Sequence, residues 1–217
     1  SYMLDFLISP AFLDGVATFG SLMGFAYIVL QYKAHPWFWY VSLFTAVPLT
    51  YVNAMSGNYA TAILFFYYTV VTVQVLTEKF LARKKAATAQ PTFIISNMPT
   101  RLWLPLALIT LALTAAFYFG IDACKGFIPQ DFWPKYPLLD ASLTALSFVG
   151  MWVLKRNYIE CWYFWIVVNA GYTGLYFLLG DMKLTATFAF WLVMAIMGVP
   201  KWNKLMAQQQ ANQAQQP

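Results

Sequence analysis

Charge is what this chain has least of. Only 10% of its 217 residues are charged while 61% are hydrophobic, against about a quarter charged in ordinary soluble domains. That balance excludes a soluble fold. No Asp, Glu, Lys or Arg falls in the middle of a long apolar run, so a proton relay through buried carboxylates has no carrier. A retinal-type Schiff base is excluded too, because Lys183 and Lys201 stand only at the ends of the last run. The single histidine, His35, sits beside Pro36 and makes neither a metal site nor a triad. The two cysteines, Cys124 and Cys161, fall at opposite membrane faces in the topology derived below, which rules out a disulfide within one chain. No phosphate-binding glycine loop occurs, so ATP-driven transport by this chain alone is not expected. These absences leave no constellation for an enzyme, and neither a metal nor a cofactor is expected.

Long apolar segments are abundant. A membrane helix needs about 20 mostly apolar residues, and seven runs qualify, near 15–32, 37–55, 59–77, 102–120, 138–154, 161–180 and 184–200. The expected fold is an all-α integral membrane protein with seven transmembrane helices. The net charge of +5 does not point to nucleic acid, because the basic residues gather at helix ends. With the N-terminus outside, Lys33, Lys79, Arg83, Lys84, Lys85, Arg101, Lys155, Arg156, Lys201 and Lys204 all fall inside, as the excess of cytoplasmic Lys and Arg requires. An N-out, C-in chain follows. Met3 to Leu13 contains Asp5 and Pro10 and lacks a basic leader, so an interfacial segment over 1–13 is expected instead of a cleavable signal.

An internal duplication organises the runs. Asp14, Thr18, Ser21, Gly24 and Trp39 match Asp140, Thr144, Ser147, Gly150 and Trp165 at a constant offset. After a small slip, Gly57 and Asn58 match Gly180 and Asp181, and Tyr68 meets Trp191. Two copies of three helices are parallel only if one more helix separates them. The plan is therefore two parallel three-helix bundles joined by a linker helix: bundles over 14–80 and 138–206, a basic cytoplasmic loop over 81–101, the linker over 102–120 and an external loop over 121–137. Residues 207–217, rich in Gln, read as a disordered tail. Parallel repeats of this kind are one established carrier plan, with the ligand near the midplane between them. Pro48 and Pro105 are expected to kink the second and fourth helices.

The polar inventory at membrane depth is aromatic and uncharged. Trp162, Trp165 and Asn169 project from one side of the sixth helix, continued by Tyr172 and Tyr176. An amide at that depth is costly unless it finds a partner. Asn53, Tyr67, Gln74 and Trp191 lie at comparable depths on other helices. Such a set suits a flat, hydrogen-bonding ligand, and above all a cationic one, since rings attract cations. Packing between helices accounts equally well for the same spacing.

The run Glu160-Cys-Trp162-Tyr-Phe-Trp165-Ile-Val-Val-Asn169, a W-x-x-W-x-x-x-N pattern in the penultimate helix of a three-one-three chain, resembles the PnuC family of bacterial nicotinamide riboside transporters, which are similar in fold to full-length SWEET sugar transporters. The resemblance implies facilitated diffusion of nicotinamide riboside (a vitamin B3 form) across the inner membrane. It also implies a functional link to a cytoplasmic nicotinamide riboside kinase that traps the ligand for NAD biosynthesis, and a homotrimer in the lipid bilayer. Trp162, Trp165 and Asn169 carry the motif into the substrate site; Asn53, Tyr67, Gln74, Tyr176 and Trp191 are added from depth and chemistry. The first copy departs from the motif, with Leu43 in the place of Asn169, so an asymmetric site is expected. A SWEET-like sugar carrier and a seven-helix receptor without transport stay open as alternatives.

Overall fold

The structure is a computed structural model that describes residues 6–56, 59–85, 93–124, 126 and 133–214. Among them are seven α-helices: α1 Pro10–Tyr32, α2 Phe38–Met55, α3 Tyr59–Lys85, α4 Trp103–Cys124, α5 Pro137–Lys155, α6 Cys161–Leu178 and α7 Met182–Ala214. They follow the seven apolar runs. Five of them (α1, α3, α4, α5 and α7) are long and apolar enough to cross a membrane. The other two, α2 and α6, have 18 residues each, near the short end of the range for a span.

The chain divides into two compact units, residues 1–92 and 93–217. In the first, α1 packs on α2 and α2 on α3. Ser9 caps α1 by accepting from the Phe12 N–H at 3.4 Å, and Pro10 occupies the first turn, where no N–H is needed. The helix ends where Ala34 takes a left-handed backbone with φ of 51°. The α1–α2 seam closes over Gly20, where an added Cβ would stand 3.0 Å from the Leu49 side chain and 3.4 Å from Pro48. Between α2 and α3, the buried hydroxyls of Ser42 and Thr72 share a hydrogen bond of 2.9 Å, which removes the cost of burying both.

The second unit holds four helices in series: α4 packs on α5, α5 on α6 and α6 on α7. A segment of the expected cytoplasmic loop, 93–99, belongs to this unit as an extended strap. Ser96 pairs with Tyr158 in a parallel bridge, the Met98 N–H donates to Glu160 Oε2 at 2.8 Å, and Phe93 packs edge-on against Trp202.

Three boundaries differ from expectation. Residues 10–13 belong to α1 and not to a separate interfacial segment, because Ser9 and Pro10 supply a helix start. The Gln-rich tail is helical to Ala214, because Gln209 donates to the Phe93 carbonyl at 2.8 Å and accepts from the Ile95 N–H at 3.0 Å, pairing with the strap as another strand would. Pro105 falls in the first turn of α4, where its missing N–H breaks no ladder, whereas Pro48 and Pro200 lie inside α2 and α7. Gly57 and Asn58, matched in the duplication, lie outside the described residues; their partner Gly180 makes its turn with φ of +76°.

Candidate functional site

The α5–α6 seam gathers the polar residues of the second unit. Gly150 lets the helices approach: a Cβ there would lie 3.0 Å from Phe164 Cβ and 3.4 Å from the Trp165 ring. Further out along the seam, Thr144 Oγ1 and the Tyr172 hydroxyl are 3.4 Å apart. Antiparallel helices keep such a register turn after turn, so Ser147 stands at the level of Asn169, and Asp140 at that of Tyr176. Asp140, Thr144, Ser147 and Gly150 are the duplicated residues, and in this copy they line a single seam.

Asn169 is 6% exposed. Its backbone carbonyl accepts from Thr173 Oγ1 at 2.7 Å, while its carboxamide makes no hydrogen bond with any described residue. One turn towards the N-terminus of α6, Trp165 is 8% exposed, and one turn towards its C-terminus Tyr172 is equally buried. From Tyr172 the rings continue onto α7. Tyr176 stacks on both Tyr172 and Phe188, with centroids 6.0 and 5.3 Å apart, Tyr172 and Phe188 are tilted by 33° at 4.9 Å, and Phe188 meets Trp191 edge-on at 5.2 Å. Tyr176 and Trp191 are half-buried. Arg156, at the C-terminal end of α5, stands over the Trp152 ring at 5.3 Å. The seam between Asp140 and Lys155 contains no charged side chain.

Trp162 is placed differently from its two motif partners. Its side chain is fully enclosed, with its ring so close over Gly198 of α7 that no Cβ fits there, and with Trp202 edge-on at 5.4 Å. It packs the first turn of α6 onto α7.

The sequence pattern of the nicotinamide mononucleotide transporters matches residues 15–204. The chain belongs to the nicotinamide mononucleotide transporter family. Its fold is also that of the crystal structure of the vitamin B3 transporter PnuC, with a TM-score of 0.65 at 20% identity, over 89% of this chain and 82% of that one. No curated protein matches the chain. Family and fold together identify a multi-pass membrane transporter.

The remaining expected residues fall in the first unit and are described there. Asn53 donates from Nδ2 to the Leu49 carbonyl of its own helix at 2.7 Å. Tyr67 is half-buried, 6.2 Å from the Tyr68 ring, and Gln74 is exposed on α3. Thr144, Ser147 and Phe188 stand beside the expected residues of the second unit. The first two were visible as members of the duplication. Phe188 was signalled only by its three-residue spacing from Trp191.

Proposed function

We propose that this chain carries nicotinamide riboside across the bacterial inner membrane by facilitated diffusion. Its two three-helix bundles open the site alternately to each side, and phosphorylation by a cytoplasmic kinase traps the ligand for NAD synthesis. The observation that carries this reading is the buried Asn169 carboxamide, unused by any described residue and flanked along one seam by Trp165 and Tyr172. Flat rings suit a pyridinium, and an amide suits a carboxamide or ribose hydroxyl. Trp165, Asn169, Tyr176 and Trp191 line the ligand in this proposal, with Tyr172 joining them. Trp162 holds the wall from behind, and Asn53, Tyr67 and Gln74 of the first unit are proposed as ligand contacts on their depth and chemistry alone. The N-terminus is outside, the C-terminus inside, and three copies assemble in the bilayer.

The riboside is favoured over the mononucleotide by charge. A phosphate asks for Arg, Lys or a row of N–H donors, and the α5–α6 seam supplies no cation at depth. Titration calorimetry with the purified protein tests the reading. Nicotinamide riboside binds wild type, while Trp165→Ala and Asn169→Ala each weaken it about tenfold or more, as loss of a base-stacking ring or a buried amide partner predicts. Displacement by glucose or sucrose would instead favour a sugar carrier. Accumulation of free riboside in kinase-free liposomes above the outside concentration would overturn facilitated diffusion.

A further inference from the structure

Asp140 is the charged residue at the Tyr176 end of the α5–α6 seam, and the binding of ligand at Trp165 and Asn169 does not use it. It stands in the first turn of α5, half-buried, and its carboxylate makes no hydrogen bond or ion pair with any described residue. Helix polarity favours an acid in a first turn, but it does not account for burial beside a stack of rings. One helical turn along α5 from Thr144, whose hydroxyl is 3.4 Å from that of Tyr172, Asp140 stands at the level of Tyr176, and the Asp181 N–H donates to the Tyr176 carbonyl at 3.0 Å. The two acids differ in employment: Asp181 Oδ1 accepts from the Leu184 N–H at 3.0 Å and caps α7. Lys183, on the same turn, is exposed and makes no ion pair with Asp140 among the described residues.

The rings beside Asp140 form a graded path. Tyr176 and Phe188 are half-buried and nearly parallel, 5.3 Å apart, and Tyr172 lies beneath them with its hydroxyl at Thr144. One turn deeper is the Asn169 carboxamide, 6% exposed and unpartnered among the described residues. A half-buried carboxylate without a partner is costly until a cation meets it, and near-parallel rings attract that cation by their faces. We propose that Asp140 and the Tyr172, Tyr176 and Phe188 rings form an outer docking subsite for an organic cation, from which the ligand passes inward to Trp191, Trp165 and Asn169. The subsite selects for positive charge, a property the uncharged inner wall does not itself enforce. The duplicated position in the first unit, Asp14, is exposed, so only one copy supplies this feature.

The subsite rests on the riboside reading, and uptake by the full chain in liposomes separates the two. The probes are nicotinamide riboside, which carries a pyridinium charge, and its uncharged dihydro form. Asp140→Asn is expected to raise KM for the cation about tenfold, as loss of one close charge partner implies, and to leave KM for the uncharged form within about twofold. Asp140→Glu keeps the charge and restores the wild-type preference. Asp140→Ser, a smaller uncharged replacement, gives the same selective loss and covers the case in which Asp140→Asn does not fold. Equal losses for both probes, or no change in either, would overturn the subsite while leaving the riboside reading intact. Wild type that transports neither probe would overturn both.

Discussion

The polar duplicated residues occupy different environments in the two units, whereas the glycine and the tryptophan are buried in both. In the second, Thr144 is 6% exposed, Ser147 is fully buried and Trp165 is 8% exposed. In the first, Asp14, Thr18 and Ser21 are exposed, while Gly24 is buried and Trp39 fully enclosed. Residue type and spacing are the same, yet α1 meets α2 through Gly20, against Leu49 and Pro48, whereas α5 meets α6 through Gly150, against Phe164 and Trp165. The first copy buries its polar pair elsewhere, as the Ser42–Thr72 hydrogen bond between α2 and α3. A repeat thus preserves which residues share a helix face without preserving what that face meets.

The sharpest way to break this comparison is to remove the paired tryptophans. Trp39→Ala empties a fully enclosed site and is expected to cost about 3–5 kcal/mol of stability, leaving the ligand affinity of the protein that still folds close to wild type. Trp165→Ala, at a slightly exposed position, is expected to fall at the low end of that range, about 3 kcal/mol, and to lose the affinity described above. Calorimetry and thermal unfolding in detergent read both. Equal losses of affinity in the two variants would mean that both copies face the ligand alike. The glycine seams give the next largest contrast. Gly198→Ala drives a methyl into the Trp162 ring, which is held by Trp202, and is expected to cost about 2 kcal/mol as overpacking. Gly20→Ala meets the flexible end of Leu49 at 3.0 Å, and relief of the helix penalty for glycine offsets it to within about 1 kcal/mol. A Gly20→Ala variant that unfolds as readily as Gly198→Ala would show the first seam to be as rigid as the second.

The helices were legible because a membrane demands apolar length and supplies little else to read. Boundaries set by local chemistry, such as Ser9 with Pro10, were present in the sequence, though they were assigned to a separate segment. The helical tail was not legible. Gln and Ala are compatible with helix, but what holds Gln209 is the backbone of Phe93 and Ile95, more than a hundred residues earlier. The site was half legible. Spacing placed Trp162, Trp165 and Asn169 on one side of α6, but only packing separates Trp162, sealed over Gly198, from Asn169 with its unused carboxamide. Asp140 was visible as a repeat residue and carried no sign of its burial, because an aspartate at the start of a helix is ordinary in sequence.

The smallest expected effect tests the comparison most directly, since it changes one hydroxyl in each copy. Thr144→Val removes the group 3.4 Å from the Tyr172 hydroxyl. That distance is long for an O–H···O bond, so the loss is expected near the low end for a buried hydrogen bond, about 0.5 kcal/mol, with Tyr172 freed to turn. Thr18→Val alters an exposed position and is expected to change stability by no more than a few tenths of a kcal/mol. The more informative readout is the ligand. If Thr144 holds the Tyr172 ring in its stack with Tyr176 and Phe188, Thr144→Val weakens riboside binding about two- to threefold while Thr18→Val leaves it unchanged. If the hydroxyl pair is incidental, both variants bind as wild type does, and the ring stack is held by the hydrophobic packing of Tyr172 against Leu143, Val168 and Leu175. The two outcomes separate a seam whose polar residues orient the site from one whose polar residues are merely enclosed by it.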